Sequence, residues 1–398
     1  MDIIEFKNCS YKNKHLVGGK CASLGELYHL SQQLNFNIAD GYCTTTTLYD
    51  KFIQQNNLND IINETLETIN YDNIKGLESD SRKLINIITE GQFTELQEQE
   101  IIIYYKNLCK KYNKQNLEVA IRSSALAEDL PNASFAGQQD TYLNIFGEND
   151  VVKNIKKCFA SLFNTRALSY RKTHNISLDQ VKISVAVQKM VRSDIGSAGV
   201  AFSIDPETGY NKAIVINSSF GLGELVVSGG VKPDEIICDK EVLKLVGKDP
   251  IIMKKKGDKN SKIVYDKLGG TIEVETNMIE KINFSLTNNQ AILLGRSVLF
   301  LEEEYSKIFN KEMGVDVEWG IDGVDRNLYI LQTRPETVHS NKVLEMEKYV
   351  LDEKSNVLIS GVAVGEKIST GKMKLLESLD EYSYNFLINI LFIKKVIY

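Results

Sequence analysis

The chain contains 398 residues, of which 43% are hydrophobic and 25% are charged, and this composition excludes a disordered protein. Its length is sufficient for two or more structural units. The formal net charge of −6 excludes a general positive field that would attract nucleic acid or an anionic membrane, so we expect neither as a partner.

Residues 1–115 are predicted to be mostly helical, because apolar residues recur three or four positions apart. The pattern is clearest in "CASLGELYHLSQQL", "LYDKFIQQNNLNDIINETLETI" and "ELQEQEIIIYYKNLCKKY". In "LVGGKCASLGEL", Gly18 and Gly19 precede Lys20 just before a predicted helix start, where a phosphate can bind. It is not a Walker A loop, because Cys21 follows the lysine where Ser or Thr should bind magnesium. A structural turn with an exposed lysine explains the same residues.

Residues 122–142, "RSSALAEDLPNASFAGQQDTY", combine Arg122 with many small residues. A hydrophobic core gains little from such side chains, so we expect a loop outside the core. Small residues leave backbone N–H groups free to approach a ligand closely, and an anion is the natural candidate. The stretch is therefore predicted to be an anion-binding loop.

The strongest helical pattern is "VVKNIKKCFASLFNTRALSYRK", which we predict to be a core-packing helix. From residue 183 the pattern changes to β-branched runs typical of strands, namely "ISVAVQKMV", "SAGVAFSID" and "KAIVINSSF". A later helix is predicted to begin with Thr287 as N-cap and Gln290 in the capping-box position. Because helices and strands are segregated along the chain, we predict an α+β fold. The apolar stripe of "VVKNIKKCFASLFNTRALSYRK" comprises Val152, Ile155, Phe159, Leu162, Phe163 and Leu168.

The segment "FGLGELVVSGGVKPDE" contains Gly221-x-Gly223 but has Val226 where a dinucleotide fingerprint requires a third glycine. NAD binding is therefore poorly supported. Its glycines suit a flexible loop that closes over a bound ligand, although ordinary surface loops have the same composition.

The segment "VDVEWGIDGVDRNLYILQTRP" is predicted to be a β-hairpin with its turn near Asp325. Glu318 is then opposite Gln332, and Asp316 is opposite Arg334, so all four share one face. A carboxylate beside an amide oxygen suits Mg²⁺, and a guanidinium grips phosphate oxygens in a bidentate fork. A solvated hairpin face with an ordinary salt bridge is the alternative. The opposite face is predicted to carry Val317, Trp319, Tyr329 and Leu331.

The charged, weakly periodic segment "HSNKVLEMEKYVLDEKSNV" is predicted to contain a linker. After it, "GVAVGEKISTGKMKLL" has glycines spaced between short apolar runs, which is typical of the start of a new unit built from β-strands. We therefore predict a main domain at residues 1–340, a linker at 341–357 and a truncated third unit at 358–398.

Six cysteines are spread along the chain without a C-x-x-C pair or histidines at zinc-binding spacing. The amino terminus lacks the apolar segment of a signal peptide, and no apolar run reaches about 18 residues. We therefore expect a cytoplasmic protein whose reduced cysteines are small buried hydrophobic residues. They are Cys9, Cys21, Cys43, Cys109, Cys158 and Cys238.

Six blocks of sequence together resemble the nucleotide-binding part of the phosphoenolpyruvate synthase (pyruvate, water dikinase) family. They occur in the family's order between about residue 10 and residue 376. The resemblance implies an ATP-grasp fold of the pyruvate phosphate dikinase amino-terminal type, with ATP bound between two α+β subdomains. The blocks are "VGGKCASLGEL", "RSSALAEDLPNASFAGQQDTYLN", "ASLFNTRALSYR", "VQKMVRSDIGSAGVAFSID", "GLGELVVSGGVKPDE" and "DVEWGIDG…LYILQTRPETV".

The resemblance also implies roles for charged residues of the site. Lys20 and Arg122 resemble phosphate contacts and Arg334 resembles a phosphate clamp, so these three are the candidate catalytic residues. Glu318 and Gln332 resemble the ligands of a Mg²⁺ ion that accompanies the substrate ATP.

The resemblance also implies which residues contact the triphosphate chain and the adenine. Gly137 and Thr141 resemble a small-residue loop along the triphosphate, so its backbone N–H groups would contact ATP. Gln188 and the backbone at Met190 resemble the strand edge that reads adenine. Leu126 replaces a threonine that is usual in the family, which could alter the phosphate loop.

In the resembled family, the β-phosphate of ATP passes to a histidine on a swivelling domain and a barrel then phosphorylates pyruvate. The resemblance implies a Mg²⁺-ATP-binding phosphotransfer module whose partners are a phosphohistidine domain and a pyruvate-binding barrel. Residues 358–398 resemble only the start of the swivelling domain, so we expect a fragment, a truncated product or half of a split enzyme. A rifampicin phosphotransferase-like dikinase and a non-catalytic truncated ATP-binding module are the alternatives.

Overall fold

The computed structural model describes residues 1–33, 36–126, 129–130, 133–134, 140–174, 176, 182–336, 372–376 and 389–393. Its elements are both helical and extended, and they form several sheets, as the predicted α+β class requires. The helices are α1 Lys14–Leu30, α2 Thr46–Gln55, α3 Asn59–Thr68, α4 Ile74–Glu90, α5 Glu95–Lys111, α6 Glu148–Ala160, α7 Thr165–Thr173, α8 Glu224–Val227, α9 Lys240–Leu243, α10 Met278–Ile282 and α11 Asn288–Phe309. Short 3-10 helices occur at Phe6–Asn8, Tyr11–Asn13, Ser161–Phe163 and Ser193–Ile195.

The strands form two large sheets. The first sheet has the order β1-β3-β8-β4-β7, and the second has the order β12-β11-β10-β9-β15-β16-β2. All neighbours in them are antiparallel except β16 and β2, which are parallel. The strands are β1 Ile3–Glu5, β2 Asn37–Ile38, β3 Gly41–Thr44, β4 Val119–Ala125, β5 Asp129–Leu130, β6 Ala133–Ser134, β7 Thr141–Ile145, β8 Ile183–Lys189, β9 Ser197–Phe202, β10 Ala213–Phe220, β11 Asp234–Asp239, β12 Ile251–Lys255, β13 Ser261–Tyr265, β14 Thr271–Glu275, β15 Val315–Ile321, β16 Leu328–Pro335, β17 Lys372–Leu376 and β18 Asn389–Ile393.

Three small sheets accompany them. The pairs β5–β6 and β13–β14 are antiparallel, and β17–β18 is parallel. The predicted linker at 341–357 lies outside the described residues. The predicted third unit at 358–398 is described only at β17 and β18, so its boundary stays a prediction.

Helix α1 connects the two sheets. It contacts β4 and β8 of the first sheet and β16 of the second. One large core lies between the first sheet and helices α2 to α6, with residues of α7 included. A second core lies between the second sheet, α1 and α11, and it also contains Cys43 and Ala186 from the first sheet. The two halves of the molecule therefore share buried surface through α1.

Several local predictions are confirmed. All six residues of the predicted apolar stripe between Val152 and Leu168 are buried, although the segment divides into α6, a 3-10 turn and α7. Helix α11 begins with Thr287 as N-cap in a complete capping box with Gln290. The six cysteines are free and buried. In the described part of the chain, every helix is too short or too polar to cross a membrane.

The helical prediction for residues 48–69 is confirmed, but the segment forms two helices, α2 and α3, because Asn57 adopts a left-handed conformation with φ 54° that interrupts the helical path. One local prediction is wrong. The start of the expected loop at residue 122 belongs to strand β4. Its small residues Ser123, Ser124 and Ala125 are almost completely buried, because α1 packs directly against this strand.

Candidate functional site

The hairpin β15–β16 has the predicted pairing. Asp316 is opposite Arg334 and Glu318 is opposite Gln332, so the four polar residues share one face of the second sheet. The reason is local, because side chains on a strand alternate between two faces and equidistance from the turn sets the partners.

The other face of the hairpin differs from the prediction. The ladder shifts by one residue after Glu318, so Trp319 pairs with Ile330 and Leu331 is the extra residue of a β-bulge. Residues Ile330 and Trp319 are completely buried, whereas Tyr329 and Leu331 are only half-buried. The simple alternation, which placed Tyr329 and Leu331 on the face of Trp319, is therefore wrong beyond the bulge, where Ile330 is the partner of Trp319.

Arg122 connects the first sheet to this hairpin. Its Nη2 atom donates to Glu318 Oε2 at 2.7 Å and to Gln332 Oε1 at 2.9 Å. Its Nη1 atom lies 3.5 Å from Gln188 Oε1 on the neighbouring strand β8. The side chains of Arg122 and Glu318 are 13% and 23% exposed, so the ion pair is largely shielded from water. The structure thus brings four of the predicted residues into direct contact.

Positive charge surrounds the Glu318 carboxylate. Burial raises its pKa, but the opposing fields of Arg122, Arg334 and Lys20 are stronger together and hold the pKa below its usual range. Glu318 is therefore a charged acceptor at neutral pH. Arg334 lines the same cavity as Glu318, and Lys20 contacts Ser123 next to Arg122.

Gln188 is buried, and its amide links the two halves. Its Nε2 atom lies 3.2 Å from the carbonyl oxygen of Ala39 and 3.3 Å from that of Leu331. The backbone N–H of Met190 donates to the carbonyl of Glu118 at 2.9 Å, so this N–H is already used within the first sheet. The Met190 side chain belongs to a small buried cluster next to the hairpin β13–β14, with Ala120 and Leu222 as its buried neighbours.

Lys20 lies at the start of the long part of α1. The helix is kinked at Gly18, whose φ of 71° is open to glycine but rarely to other residues. Beyond the kink, Lys20 Nζ donates to the carbonyl of Ser123 at 3.0 Å, and the N–H of Cys21 donates to Ser124 Oγ at 3.1 Å. Gly18 therefore allows this part of the helix to lie against strand β4, beside Arg122.

The remaining predicted residues are placed differently. Gly137 lies outside the described residues. Thr141 on β7 pairs with Arg122 on β4, but its side chain is exposed. It lines a separate cavity of about 340 Å³ together with Glu224 and the tip of hairpin β13–β14.

A cavity of about 210 Å³ lies directly on the polar face of the hairpin. Helix α8, within the glycine-rich segment that the sequence suggested as a closing loop, contributes Val226 and Val227 to its wall. Sequence reasoning missed Asn217 and Phe202 in this wall, because they lie on β10 and β9 and no local motif marks them. The full lining is Val200, Phe202, Asn217, Val226, Val227, Asp316, Val317, Glu318, Gln332 and Arg334.

The donor set suits a magnesium ion that shares its shell with a ligand. Within the described ranges, no group of three or more His, Cys, Asp or Glu residues could hold a metal ion by itself. However, the side-chain oxygens of Glu318 and Gln332 converge on one cation, which is the guanidinium of Arg122. The buried Arg122 Nε and Gln332 Nε2 atoms also have no hydrogen-bond partner. Two hard oxygens fit Mg²⁺ when phosphate oxygens and water complete its coordination.

Comparison with protein families adds a match over most of the chain. The family model described as "Pyruvate phosphate dikinase, AMP/ATP-binding domain" matches residues 14–355. This range includes every candidate residue of the site and all strands of the two large sheets except β1.

Curated relatives share the same region. The phosphoenolpyruvate synthase of Aquifex aeolicus is 42% identical over 377 residues, which cover 92% of this chain and 44% of the relative. That of Helicobacter pylori is 40% identical over 385 residues, which cover 94% of this chain and 47% of the relative. A probable phosphoenolpyruvate synthase of Methanocaldococcus jannaschii is 35% identical over 374 residues, with coverages of 94% and 30%. The chain spans less than half the length of these relatives.

Proposed function

This chain belongs to the pyruvate phosphate dikinase AMP/ATP-binding domain family, and from that premise we propose that it binds Mg²⁺-ATP as the ATP-binding part of a phosphoenolpyruvate synthase. The proposal includes an ATP-grasp arrangement, in which the nucleotide lies between the two α+β halves. It is carried by the contact of Arg122 from the first sheet with Glu318 and Gln332 from the second.

The chain's own residues would act by positioning and by charge. Glu318 and Gln332 would hold Mg²⁺, which when bound neutralises part of the triphosphate charge. Lys20, Arg122 and Arg334 would contact phosphate oxygens, because their positive fields already converge on this face. Phosphoryl transfer requires little covalent chemistry from the protein, so such a site is sufficient for the ATP half of the reaction.

The rest of the nucleotide would lie along strand β8 and the loop that ends at β7. Gln188 is in contact with Arg122, which supports a position beside the nucleotide. The carbonyl of Met190, which accepts a long contact from Lys189 Nζ at 3.4 Å, is the backbone group proposed to read adenine, since the N–H of Met190 is paired with Glu118. Gly137 and Thr141 would follow the triphosphate.

The complete reaction would be conversion of ATP, pyruvate and water to phosphoenolpyruvate, AMP and phosphate. We propose it because the relatives carry the name phosphoenolpyruvate synthase and are more than twice the length of this chain's match. A phosphohistidine swivelling domain and a pyruvate-binding barrel would be the partners of this module. AMP formation by the chain in the presence of pyruvate, with and without the remaining part of the Aquifex aeolicus protein, would test this partnership.

Isothermal titration of the full chain with Mg²⁺-ATP tests the proposed site. Arg334→Ala is expected to weaken binding by about 1.5 to 3 kcal/mol, the range for a hydrogen bond to a charged group, which is roughly tenfold to 150-fold in affinity. The matched control is Arg326→Asn, at the far end of the same hairpin. It removes the same charge, and asparagine tolerates the left-handed φ of 64° at that position.

The control is expected to bind as tightly as the wild type. Equal affinity of Arg334→Ala and Arg326→Asn would show that the hairpin face does not contact the phosphates. A wild-type chain that shows no binding at millimolar Mg²⁺-ATP would reject the proposed function as a whole.

A further inference from the structure

The guanidinium of Arg122 lies where the proposed magnesium ligands converge. One nitrogen, Nη2, donates to both Glu318 Oε2 at 2.7 Å and Gln332 Oε1 at 2.9 Å. Gln332 Oε1 is the amide oxygen that would hold the metal, and Glu318 Oε2 is one of the two carboxylate oxygens available to it. A residue expected to bind phosphate therefore contacts the side-chain oxygens of both proposed metal ligands.

Arg122 and a metal ion cannot hold these oxygens at the same time. Magnesium requires oxygen ligands at about 2.0 to 2.1 Å with near-octahedral geometry, and this leaves no room for a guanidinium between them. A divalent ion beside the guanidinium would also be repelled strongly, because the pair is largely shielded from water. The arginine must leave the oxygens before the metal can bind.

The contacts of Arg122 are less complete than those of a permanent ion pair. Its Nε atom is buried and has no hydrogen-bond partner, and its Nη1 contact with Gln188 is long at 3.5 Å. By contrast, Arg192 grips Asp194 through Nε and Nη2 at 2.8 and 3.0 Å. Arg122 therefore has donor capacity left for another acceptor, such as a phosphate oxygen.

An unpaired Glu318 would be costly in this setting. Its carboxylate is mostly buried, and a buried charge without a partner destabilises a protein strongly. Arg122 relieves this cost from the opposite sheet and thereby connects the two halves of the cleft. The Glu318 carboxylate therefore needs a neighbouring cation at all times. Arg122 is that cation before the metal binds, and the metal ion is that cation afterwards.

We propose that Arg122 is the resident counter-cation of Glu318 and Gln332 and excludes free divalent metal until a triphosphate draws the guanidinium away. The inference rests on the proposed function and adds an order of binding to it. The metal enters with the nucleotide, and metal and triphosphate favour each other's binding by the same factor. No earlier metal-bound state of the empty site is populated.

Mn²⁺ without nucleotide is the probe, and its binding is measured by titration of the full chain. Arg122→Gln removes the counter-cation and is expected to bind free Mn²⁺ at least about tenfold more tightly than the wild type. Arg122→Lys retains a positive charge and is expected to bind Mn²⁺ as weakly as the wild type. Adding Glu318→Gln to Arg122→Gln is expected to abolish the gain.

Two further comparisons separate the possible outcomes. Arg334→Gln removes a charge from the same face without freeing the two oxygens, so it is expected to raise Mn²⁺ affinity less than Arg122→Gln does. Equal affinities of these two variants would overturn the proposal. Fluorescence of Trp319, the chain's single tryptophan, checks that each variant is folded.

The wild type provides a test even if Arg122→Gln does not fold. Micromolar binding of free Mn²⁺ by the wild type, lost in Glu318→Gln, would overturn the proposal directly. A different result would reject the proposed function, namely the absence of Mg²⁺-ATP binding by the wild type. That result does not depend on how free Mn²⁺ binds.

Discussion

Gly18 shows how one residue positions the candidate lysine. A Cβ atom at Gly18 would lie 2.0 Å from the carbonyl oxygen of Ser124, far inside contact distance. The φ of 71° and ψ of 174° at Gly18 also belong to a region that is nearly closed to other residues. Both features allow α1 to change direction against β4, which brings Lys20 to Ser123.

Gly18→Ala is therefore expected to destabilise the protein by about 3 kcal/mol or more, through backbone strain combined with a collision. Gly147→Ala is the matched control. Its φ is 86°, but a Cβ atom there would meet nothing within 4 Å, so only strain of about 1 to 3 kcal/mol is expected. Urea unfolding measures both free energies, and Mg²⁺-ATP titration is expected to show lost affinity only for Gly18→Ala. Equal effects of the two substitutions would contradict the positioning role.

At the scale of elements, the hairpin β13–β14 is fastened to strand β7 of the first sheet. The Asn144 side chain donates to the backbone carbonyls of Asp266 and Gly270 at 2.8 Å each. The backbone carbonyl of Asn144 accepts from the N–H of Gly270. Asn144 is 2% exposed and adopts a left-handed φ of 54°. The hairpin follows β12 of the second sheet in the chain, so these hydrogen bonds connect it to the first sheet.

Asn144→Gly is expected to keep the backbone conformation but to remove both side-chain hydrogen bonds, leaving two carbonyls without them. The expected loss of stability is about 1 to 3 kcal/mol, with faster amide hydrogen exchange in β13 and β14. Asn113→Gly is the control, because Asn113 has a similar φ of 51° but is exposed. Unchanged amide hydrogen exchange of β13 and β14 in Asn144→Gly would show that the side-chain hydrogen bonds of Asn144 do not stabilise the hairpin.

At the scale of the whole molecule, the two halves are not independent. The core of the second sheet contains residues of α1 and also Cys43 and Ala186 from the first sheet. The strand β2 joins the second sheet, whereas β3 immediately after it joins the first. Chains of this size commonly unfold domain by domain, but here neither half can lose α1 without exposing the other half's apolar surface.

The two halves are therefore expected to unfold together. Trp319 is completely buried in the second sheet, so its fluorescence follows that half. Far-ultraviolet circular dichroism is dominated by helices α1 to α7, most of which cover the first sheet. Coincident urea transitions of the two signals are expected. Clearly separated midpoints would show that α1 does not couple the halves.

The sequence by itself determined the features that depend on near neighbours. The capping box at Thr287, the buried apolar stripe from α6 to α7 and the pairing of Glu318 with Gln332 follow from helical or strand periodicity over a few residues. Family resemblance, read from six blocks in order, also indicated the nucleotide-binding family that the comparisons show.

Only the tertiary structure decided which distant residues meet. Arg122 and Glu318 are 196 positions apart, and no periodicity predicts that one neutralises the other. The burial of Ser123 and Ser124 depends on α1, and the separate cavity of Thr141 depends on the hairpin tip. Side-chain periodicity specifies the face of an element, whereas the partner of that face depends on how elements pack across the whole chain.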